Sequence, residues 1–250
     1  MSVIENNRRF MHCPSFKEGM AKSDQSKEVA APPFHHAVKG EAIILPAYDG
    51  ELPTPGYAQL LDARRSLRNY NADKPMTKEE LSFMLWSAQG IQFTRAHSSL
   101  RPVPSGGARH PFETYFYVRY VSGLGPGIYH YAPQEDIGEK KCTIWRVGDL
   151  PADATITDMV VGQGWAAKAP VVLFYTCVPY RAEWRYVNMA HRVMLIDLGH
   201  LGQNVMLSAA ALGLGSCCMA AYDQALCDKV LQLDSINEYT VYVIAVGAAQ

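Results

Sequence analysis

The segment EWRYVNMAHRVMLIDLGHLGQNVMLSAAAL, residues 183–212, decides the fold of this chain. We expect it to form one helix, which at 1.5 Å per residue would be roughly 45 Å long. Its apolar residues lie on most faces of that helix, and a helix that is apolar all round is buried all round. One domain of this size can hardly enclose it, so we expect part of it to pack at a homodimer interface, with Gly199 and Gly202 permitting close approach. The alternative is a central helix buried within one chain.

The elements around this segment indicate an α+β fold. A short helix is predicted in TPGYAQLLDARRS (54–66), and a clearer one follows Thr77, because Thr77 and Glu80 form a capping-box pattern and Gly90 ends the apolar stripe. Aromatic and β-branched runs predict strands at 112–121, in GPGIYHYAP, in KCTIWRVGDL, at 169–178 and at 238–247. The run at 169–178 is almost wholly apolar and is typical of a central strand buried on both faces. This order predicts a mostly antiparallel central sheet flanked by helices.

Residues 1–56 differ from the rest of the chain. They are rich in proline and contain no amphipathic segment of useful length. We therefore expect an extended N-terminal arm at 1–56, which lies on its own domain or on a neighbouring subunit, and one compact domain at 57–250.

The composition excludes several classes of function. Lys and Arg total 23 against 24 Asp and Glu, for a formal net charge of −1, which does not favour nucleic acid as a partner. We expect neither a secretory signal nor a membrane helix. The six cysteines have no regular spacing and are interpreted as reduced thiols of a cytoplasmic protein. Asp197 and His200 lack a third ligand, so we expect no metal site and instead a hydrogen bond between them or with Asn204.

A cluster of arginines stands out in LDARRSLRNY, residues 61–70. Arg64, Arg65 and Arg68 surround Ser66, and a guanidinium group binds phosphate through two parallel hydrogen bonds without losing its proton. At a helix end these groups can converge on one anionic ligand. The alternative is a solvated basic turn, paired with Asp62 or Asp73.

The loop RPVPSGGARHPFE, residues 101–113, favours the ligand interpretation. Gly106 and Gly107 allow main-chain N–H groups to approach a ligand without obstruction by a Cβ atom. The loop is neither a Walker loop nor a dinucleotide fingerprint, since it precedes a strand and has no following Lys-Ser/Thr pair.

Taken together, six motifs in order closely resemble the nitroreductase superfamily, and most of all its SagB-type dehydrogenase branch. They are RRSLRNY, LSFMLWSAQGI, RPVPSGGARHPFETYFYV, GLGPGIYHYAP, RVMLIDLGHLGQNVMLSAAALGLGSCCMAAYD and YVIAVG. The resemblance implies an FMN-dependent oxidoreductase with the nitroreductase-like fold, built as an intertwined homodimer with two flavins at the interface.

The resemblance also implies roles for individual residues. Arg64 and Ser66 fall on the positions that hold the FMN phosphate, Arg65 on a ribityl or ring contact, and Arg68 on the position that reaches the pyrimidine side of the flavin. The loop that contacts the flavin from the partner subunit matches Pro104, Ser105 and Gly106. The turn where a backbone N–H meets flavin N5 matches Met219, Ala220 and Ala221. No side chain is assigned a catalytic role.

Three departures from the family pattern bear on function. Ala108 stands where the commoner loop carries Asn, and few residues follow the last strand, so we expect the N-terminal arm to embrace the partner, with Arg8 and Arg9 as candidate replacement cations. Arg185-Tyr186 stands where azoline-oxidising relatives carry Lys-Tyr. An arginine cannot act as a base, although Tyr186 could still donate a proton.

The resemblance implies an NAD(P)H-linked enzyme that reduces a small electron-poor acceptor, nitroaromatic or quinone-like, by ping-pong kinetics. A dehydrogenase of a peptide azoline or a small heterocycle is the alternative. A flavin-binding module that transfers electrons without catalysis is the second alternative.

Overall fold

A computed structural model describes residues 3–4, 8, 10, 16–47, 55–133, 142–149 and 151–250. Arg9, one of the two arm cations considered above, lies outside the described residues, as does Cys13. The other five cysteines are free thiols. None of the described helices combines the length and the apolar character that crossing a membrane requires.

The core of the fold is a seven-stranded, fully antiparallel sheet in the order β1-β6-β5-β4-β7-β9-β8. The strands, together with the small hairpin β2-β3, are β1 Ile43–Leu45, β2 Phe93–Arg95, β3 Ser98–Leu100, β4 Phe112–Val118, β5 Gly127–Pro133, β6 Cys142–Gly148, β7 Val171–Cys177, β8 Gly215–Met219 and β9 Tyr239–Gly247. The expected α+β architecture with a mostly antiparallel sheet is therefore confirmed.

Seven helices surround the sheet in the described part of the chain. They are α1 Phe16–Met20, α2 Tyr57–Ala63, α3 Lys78–Gln89, α4 Asp153–Met159, α5 Tyr180–Tyr186, α6 Ala190–Ala211 and α7 Gln224–Leu231. Helix α3 begins with the predicted capping box, in which the Thr77 side chain accepts from Glu80 N, and Gly90 ends it. Helices α4 and α7 were not predicted from the sequence.

Strand β7 is buried on both faces, as predicted. Alternate side chains point to opposite sides of a strand, so Leu173 and Tyr175 pack into the core with α3 and α6, while Val172 and Phe174 pack into the core with α4 and α7. Two separate hydrophobic cores therefore cover the two faces of the sheet.

The predicted single helix over 183–212 is wrong, because the chain breaks at Val187. Val187 has φ 48° and ψ −119°, which ends α5 and allows a short 3₁₀ turn before α6 begins. Helix α6 keeps 22 residues, about 33 Å. Its buried stripe faces the sheet, and Gly202 packs against Tyr242 of the same chain. Only Gly199 of the two glycines faces open space.

The described part of the arm packs on its own chain. Strand β1 pairs with β6 at the edge of the sheet, and residues 16–29 lie along α5. There Trp184 Nε1 donates to Val29 O at 3.0 Å, and Gln25 N donates to Trp184 O at the same distance. The domain boundary at residue 56 stays a prediction, and residues 48–54 beside it lie outside the described part.

Candidate functional site

The arginine segment, residues 64–68, runs beside strand β8. Ser66 forms a parallel bridge with Ser216, and Leu67 N donates to Ser216 O at 2.9 Å. This approach needs a glycine, because a Cβ atom at Gly215 would collide with the side chain of Leu67. Helix α2 ends at Ala63 just before the segment, so the arginines stand at the helix end that the sequence predicts.

The three guanidinium groups of the arginine segment have no acidic partner in the part of the chain that the structure describes. Arg64 is half-buried, whereas Arg65 and Arg68 are exposed. Among the described residues none of the three forms an ion pair, so the alternative of pairing with Asp62 or Asp73 is not supported. Arg68 instead lies over the ring of Trp165, with Cζ 5.9 Å from the ring centroid.

A cavity of about 170 Å³ lies between this segment and the end of α6. Its walls are formed by Ala63, Arg64, Arg65, Leu67, Met206, Ala210, Gly213, Leu214, Gly215, Ser216 and Ala249. Two arginines, the start of β8 and the C-terminal end of a helix therefore meet around one space. A dense positive charge without acidic partners suits a bound anion.

The predicted turn after the long helix begins at the other end of β8. Met219 is the last, buried residue of that strand, while Ala220 and Ala221 are exposed in the following loop. Met219 lies three positions after Ser216, about 10 Å along the strand. Strand β8 thus connects the two predicted regions: the arginine segment pairs with its first half, and the predicted turn begins at its last residue. Sequence reasoning missed this strand.

The glycine loop, residues 104–110, lies elsewhere, against the first half of α6. Ser105 Oγ donates to Asp197 Oδ2 at 2.6 Å, and Gly106 N donates to both carboxylate oxygens at 3.0 and 3.1 Å. Burial raises the pKa of Asp197, and the bonds from Ser105 and Gly106 oppose that shift. Pro104 is exposed. The amide of Gly106, expected to point at a ligand, is already used within the chain.

The expectation that Asp197 bonds to His200, or that one of them bonds to Asn204, is wrong. The partners of Asp197 are the two loop residues, and Asn204 donates instead to Ser87 O at 3.0 Å. His191 pairs with Glu183 at 3.1 Å. In the described ranges no three His, Cys, Asp or Glu side chains are grouped closely enough to hold a metal ion.

The glycine loop also contacts the Arg185-Tyr186 pair. Gly107 has φ 58°, and a Cβ atom there would lie 2.6 Å from Tyr186 Oη and 2.9 Å from Arg185 Nε. Ala108 follows with φ 53°, a conformation that asparagine adopts more readily than alanine. Sequence reasoning connected neither the pair nor Asp197 with this loop, since the contacts join residues about 80 to 90 positions apart.

The two predicted groups do not meet within one chain. The glycine loop binds Asp197, whereas the cavity beside the arginine segment includes Ala210, thirteen residues further along α6. At 1.5 Å per residue these points are about 20 Å apart.

A buried charge network was also missed by sequence reasoning. Glu113 accepts from Arg181 Nη2 at 2.5 Å, from His36 N at 2.8 Å and from His130 Nε2 at 3.2 Å. Burial would raise the pKa of Glu113, but the charge of Arg181 and the bond from His130 outweigh burial and hold it below its usual value. His36 Nε2 also contacts Glu238 Oε2 at 2.7 Å. The only signal for this network was a glutamate at the start of an apolar strand.

Comparison with known proteins places this geometry in context. The protein-family model described as "Nitroreductase family" matches residues 61–248 of this chain. "Putative nitroreductase MJ1384" of Methanocaldococcus jannaschii is 32% identical over 188 residues, which cover 75% of this chain and 88% of that protein. "Trifolitoxin-processing protein TfxB" of Rhizobium leguminosarum bv. trifolii is 30% identical over 141 residues, 55% of this chain and 37% of that protein.

One solved structure shows the likeness of the fold. The crystal structure of a "putative nitroreductase" from Ralstonia eutropha superimposes with a TM-score of 0.66. It is 20% identical, and the match covers 89% of this chain and 95% of that one. The resemblance to the family that the motifs indicated is therefore confirmed at the levels of sequence and fold.

Proposed function

Because this chain belongs to the nitroreductase family of oxidoreductases, we propose that it is an FMN-dependent enzyme that works as a homodimer. The observation that carries the proposal is the cluster of Arg64, Arg65 and Arg68, which form no ion pair with any described residue. Two of them line the cavity at the end of α6. A permanent anion such as a phosphate group suits this arrangement.

The residues present fit the proposed cofactor. Arg64 and Ser66 would hold the phosphate, with Arg65 on the ribityl chain or ring, and the backbone at Met219, Ala220 and Ala221 would border the ring. Arg68 would face the pyrimidine side, where a guanidinium group stabilises negative charge that develops on reduction. Bound FMN would supply the two-electron chemistry.

The homodimer is proposed because one chain separates the two halves of the site. The glycine loop, with Pro104, Ser105 and Gly106, lies about 20 Å along α6 from the cavity, so the loop that completes each site would come from the partner. Leu195 and Ile196 of α6 are 56% and 53% exposed. An apolar groove of about 190 Å³ adjoins these two side chains. It is lined mainly by α6, by the start of β4, by the end of β7 and by the start of β9. A second copy would cover this surface.

For the reaction, we propose NAD(P)H-linked reduction of a small electron-poor acceptor by ping-pong kinetics. The chain itself would bind and orient the reactants and would exclude water from the site. The alternative that the motif resemblance implies is dehydrogenation of a peptide azoline or a small heterocycle, and similarity to a protein named for trifolitoxin processing supports keeping it. Arg185 cannot accept the ring proton in that reaction, which leaves Tyr186 as the candidate proton donor or acceptor.

The proposal is tested by the colour and redox behaviour of the purified protein. We expect a yellow protein whose visible absorbance bleaches on anaerobic mixing with NADH or NADPH and returns when an electron-poor acceptor such as a quinone is added. Persistent yellow with either nucleotide would support the dehydrogenase. A colourless protein that takes up no FMN from excess would contradict both enzyme proposals.

A further inference from the structure

Arg109, which belongs to the glycine loop, and Arg185, which contacts that loop at Gly107, form a second basic cluster. Arg109 is only 3% exposed; its Nη2 donates to His97 O at 3.1 Å, while its buried Nε has no acceptor among the described residues. Arg185 Nη1 donates to Gln25 Oε1 at 3.0 Å, and its buried Nε likewise has no acceptor there. Buried donors without acceptors are rare in folded proteins, so this pair requires an explanation.

In the part of the chain that the structure describes, three nearby carboxylates are bound to other groups. Glu113 is bound to Arg181, Asp197 to the amide and hydroxyl of the glycine loop, and Glu183 to His191. Burial lowers the pKa of Arg109, and the charge of Arg185 lowers it further. Two like charges are thus held close together, an arrangement that a bound anion would stabilise.

An aromatic ring lies beside each of the two arginines. The Arg109 guanidinium carbon lies 4.8 Å from the ring centroid of Trp184, and that of Arg185 lies 5.5 Å from Tyr186. Phe16 of the arm meets Tyr186 edge to face, with centroids 5.7 Å apart. Flat aromatic surfaces beside fixed cations suit a planar ligand that carries a negative group.

Gly107 lies against Arg185 and Tyr186 of this cluster. It is exposed, and a side chain there would overlap Tyr186 Oη and Arg185, as described above. The loop therefore covers the buried Arg185 Nε and the Tyr186 phenol with a residue that has no side chain, while Arg185 as a whole stays partly exposed. The Nε and Nη2 atoms of Arg185 have no acceptor among the described residues, and these two atoms form the edge of a guanidinium group that binds a carboxylate through two parallel hydrogen bonds.

We propose that Arg185, assisted by Arg109, binds a carboxylate group on a planar aromatic substrate beside Tyr186. This inference rests on the proposed function, because it assigns a substrate class to the side of the flavin site that the glycine loop would complete. Gln25 is a positioning residue, since it holds Arg185 Nη1 and, through its own N–H, the backbone of α5.

The experiment compares two probes of the same shape, 4-fluorobenzoate and 4-fluorobenzamide, by ¹⁹F NMR titration of the full-length protein. We expect the carboxylate to bind at least tenfold more tightly than the amide. Arg185→Gln should bring the two affinities to within about twofold, and Arg185→Lys, which keeps the charge but loses the fork, should fall between. Arg146→Gln is the matched control, because Arg146 is exposed and pairs with Asp149.

Flavin content, read from the absorbance of the same samples, separates the two proposals. A carboxylate preference in a protein that binds no FMN would support the anion site and contradict the proposed function. Equal affinities in the wild-type protein, or a preference that survives Arg185→Gln, would overturn the anion site whatever the flavin content. Should Arg185→Gln not fold, Gln25→Ala serves instead, and we expect it to reduce the preference at least threefold; an unchanged preference there would count against the proposal.

Discussion

The arginine segment lies beside the C-terminal end of α6 and the glycine loop lies against its first half, and the polar groups of the two regions have different partners. In the arginine segment, three guanidinium groups form no ion pair within the described chain and two line an open cavity. In the glycine loop, Ser105 and Gly106 bind the buried carboxylate of Asp197, and the His110 N–H donates to Ser105 Oγ at 2.9 Å. Ser105 and Gly106 of the glycine loop are thus bound within their own chain, although the Arg109 Nε of that loop has no acceptor among the described residues, whereas the guanidinium groups of the arginine segment have no acidic partner there.

This difference separates binding from stability. A charged group without a partner in the protein contributes little to the stability of the fold but can contribute strongly to the affinity for a ligand. A buried hydrogen-bonded group contributes to the stability of the fold itself. Substitutions in the two regions should therefore have opposite profiles.

The largest effect is expected from Arg64→Ala. It should weaken FMN binding by about 1.5–3 kcal/mol, roughly 10- to 150-fold, because it removes a charge-assisted contact to the phosphate. The urea midpoint of the FMN-free protein should stay unchanged, since Arg64 has no ion-pair partner in the described part. Fluorescence titration with FMN measures the affinity, and Arg146→Ala is the control. Unchanged FMN affinity would show that the phosphate assignment is wrong.

Asp197→Ala should have the reverse profile. We expect the free energy of unfolding to fall by about 1–2 kcal/mol, because Ser105 and Gly106 lose a charged acceptor while the burial cost of the carboxylate is also removed. Urea denaturation measures it, with Asp149→Ala as the control, since the Asp149 side chain is 95% exposed. A loss no larger than that of the control would mean that the loop is not anchored through Asp197.

The smallest effect concerns pH and the glycine loop. Burial, with the charge of Arg101, lowers the pKa of His110 to about 2, so its imidazole stays neutral when folded. The unfolded chain binds this proton below about pH 6.5, so stability falls as the pH drops from about 6.5 towards 2. Between pH 7 and pH 5.5 the loss should be about 1 kcal/mol.

His110→Gln should remove this part of the pH dependence, because glutamine does not titrate and can still reach Ser99 O, which His110 Nε2 contacts at 2.9 Å. Urea denaturation at the two pH values measures the difference between wild type and variant. Parallel losses in both proteins would show that other groups cause the acid sensitivity.

Local patterns were enough to predict several elements. The capping box at Thr77, the strand at β7 and the aromatic strand β4 all formed where the sequence indicated, because each depends on neighbours along the chain. The predicted helix over 183–212 failed at one residue, Val187, whose positive φ no local signal announces. Strand β8 was also missed, because its small residues and cysteines have weak strand propensity and are held by pairing with β9.

The candidate site, like the fold, was predictable from the sequence only in part. The residue types of the site were readable in the sequence: arginines for an anion, glycines for close approach, and a family resemblance that the comparison then confirmed. Their grouping was not readable. The arginine segment lies with β8 and the glycine loop with Asp197, Tyr186 and Arg185, through contacts between residues far apart in the chain.

The sequence by itself determined the α+β class, the main strands and the chemistry of the binding residues, since propensity and side-chain charge are properties of each residue and its neighbours. Only the tertiary structure decided where α5 ends, which carboxylates are already bound and which guanidinium groups remain available. Those outcomes depend on burial and on partners brought together by the sheet, and burial sets the cost of leaving each polar group without a partner.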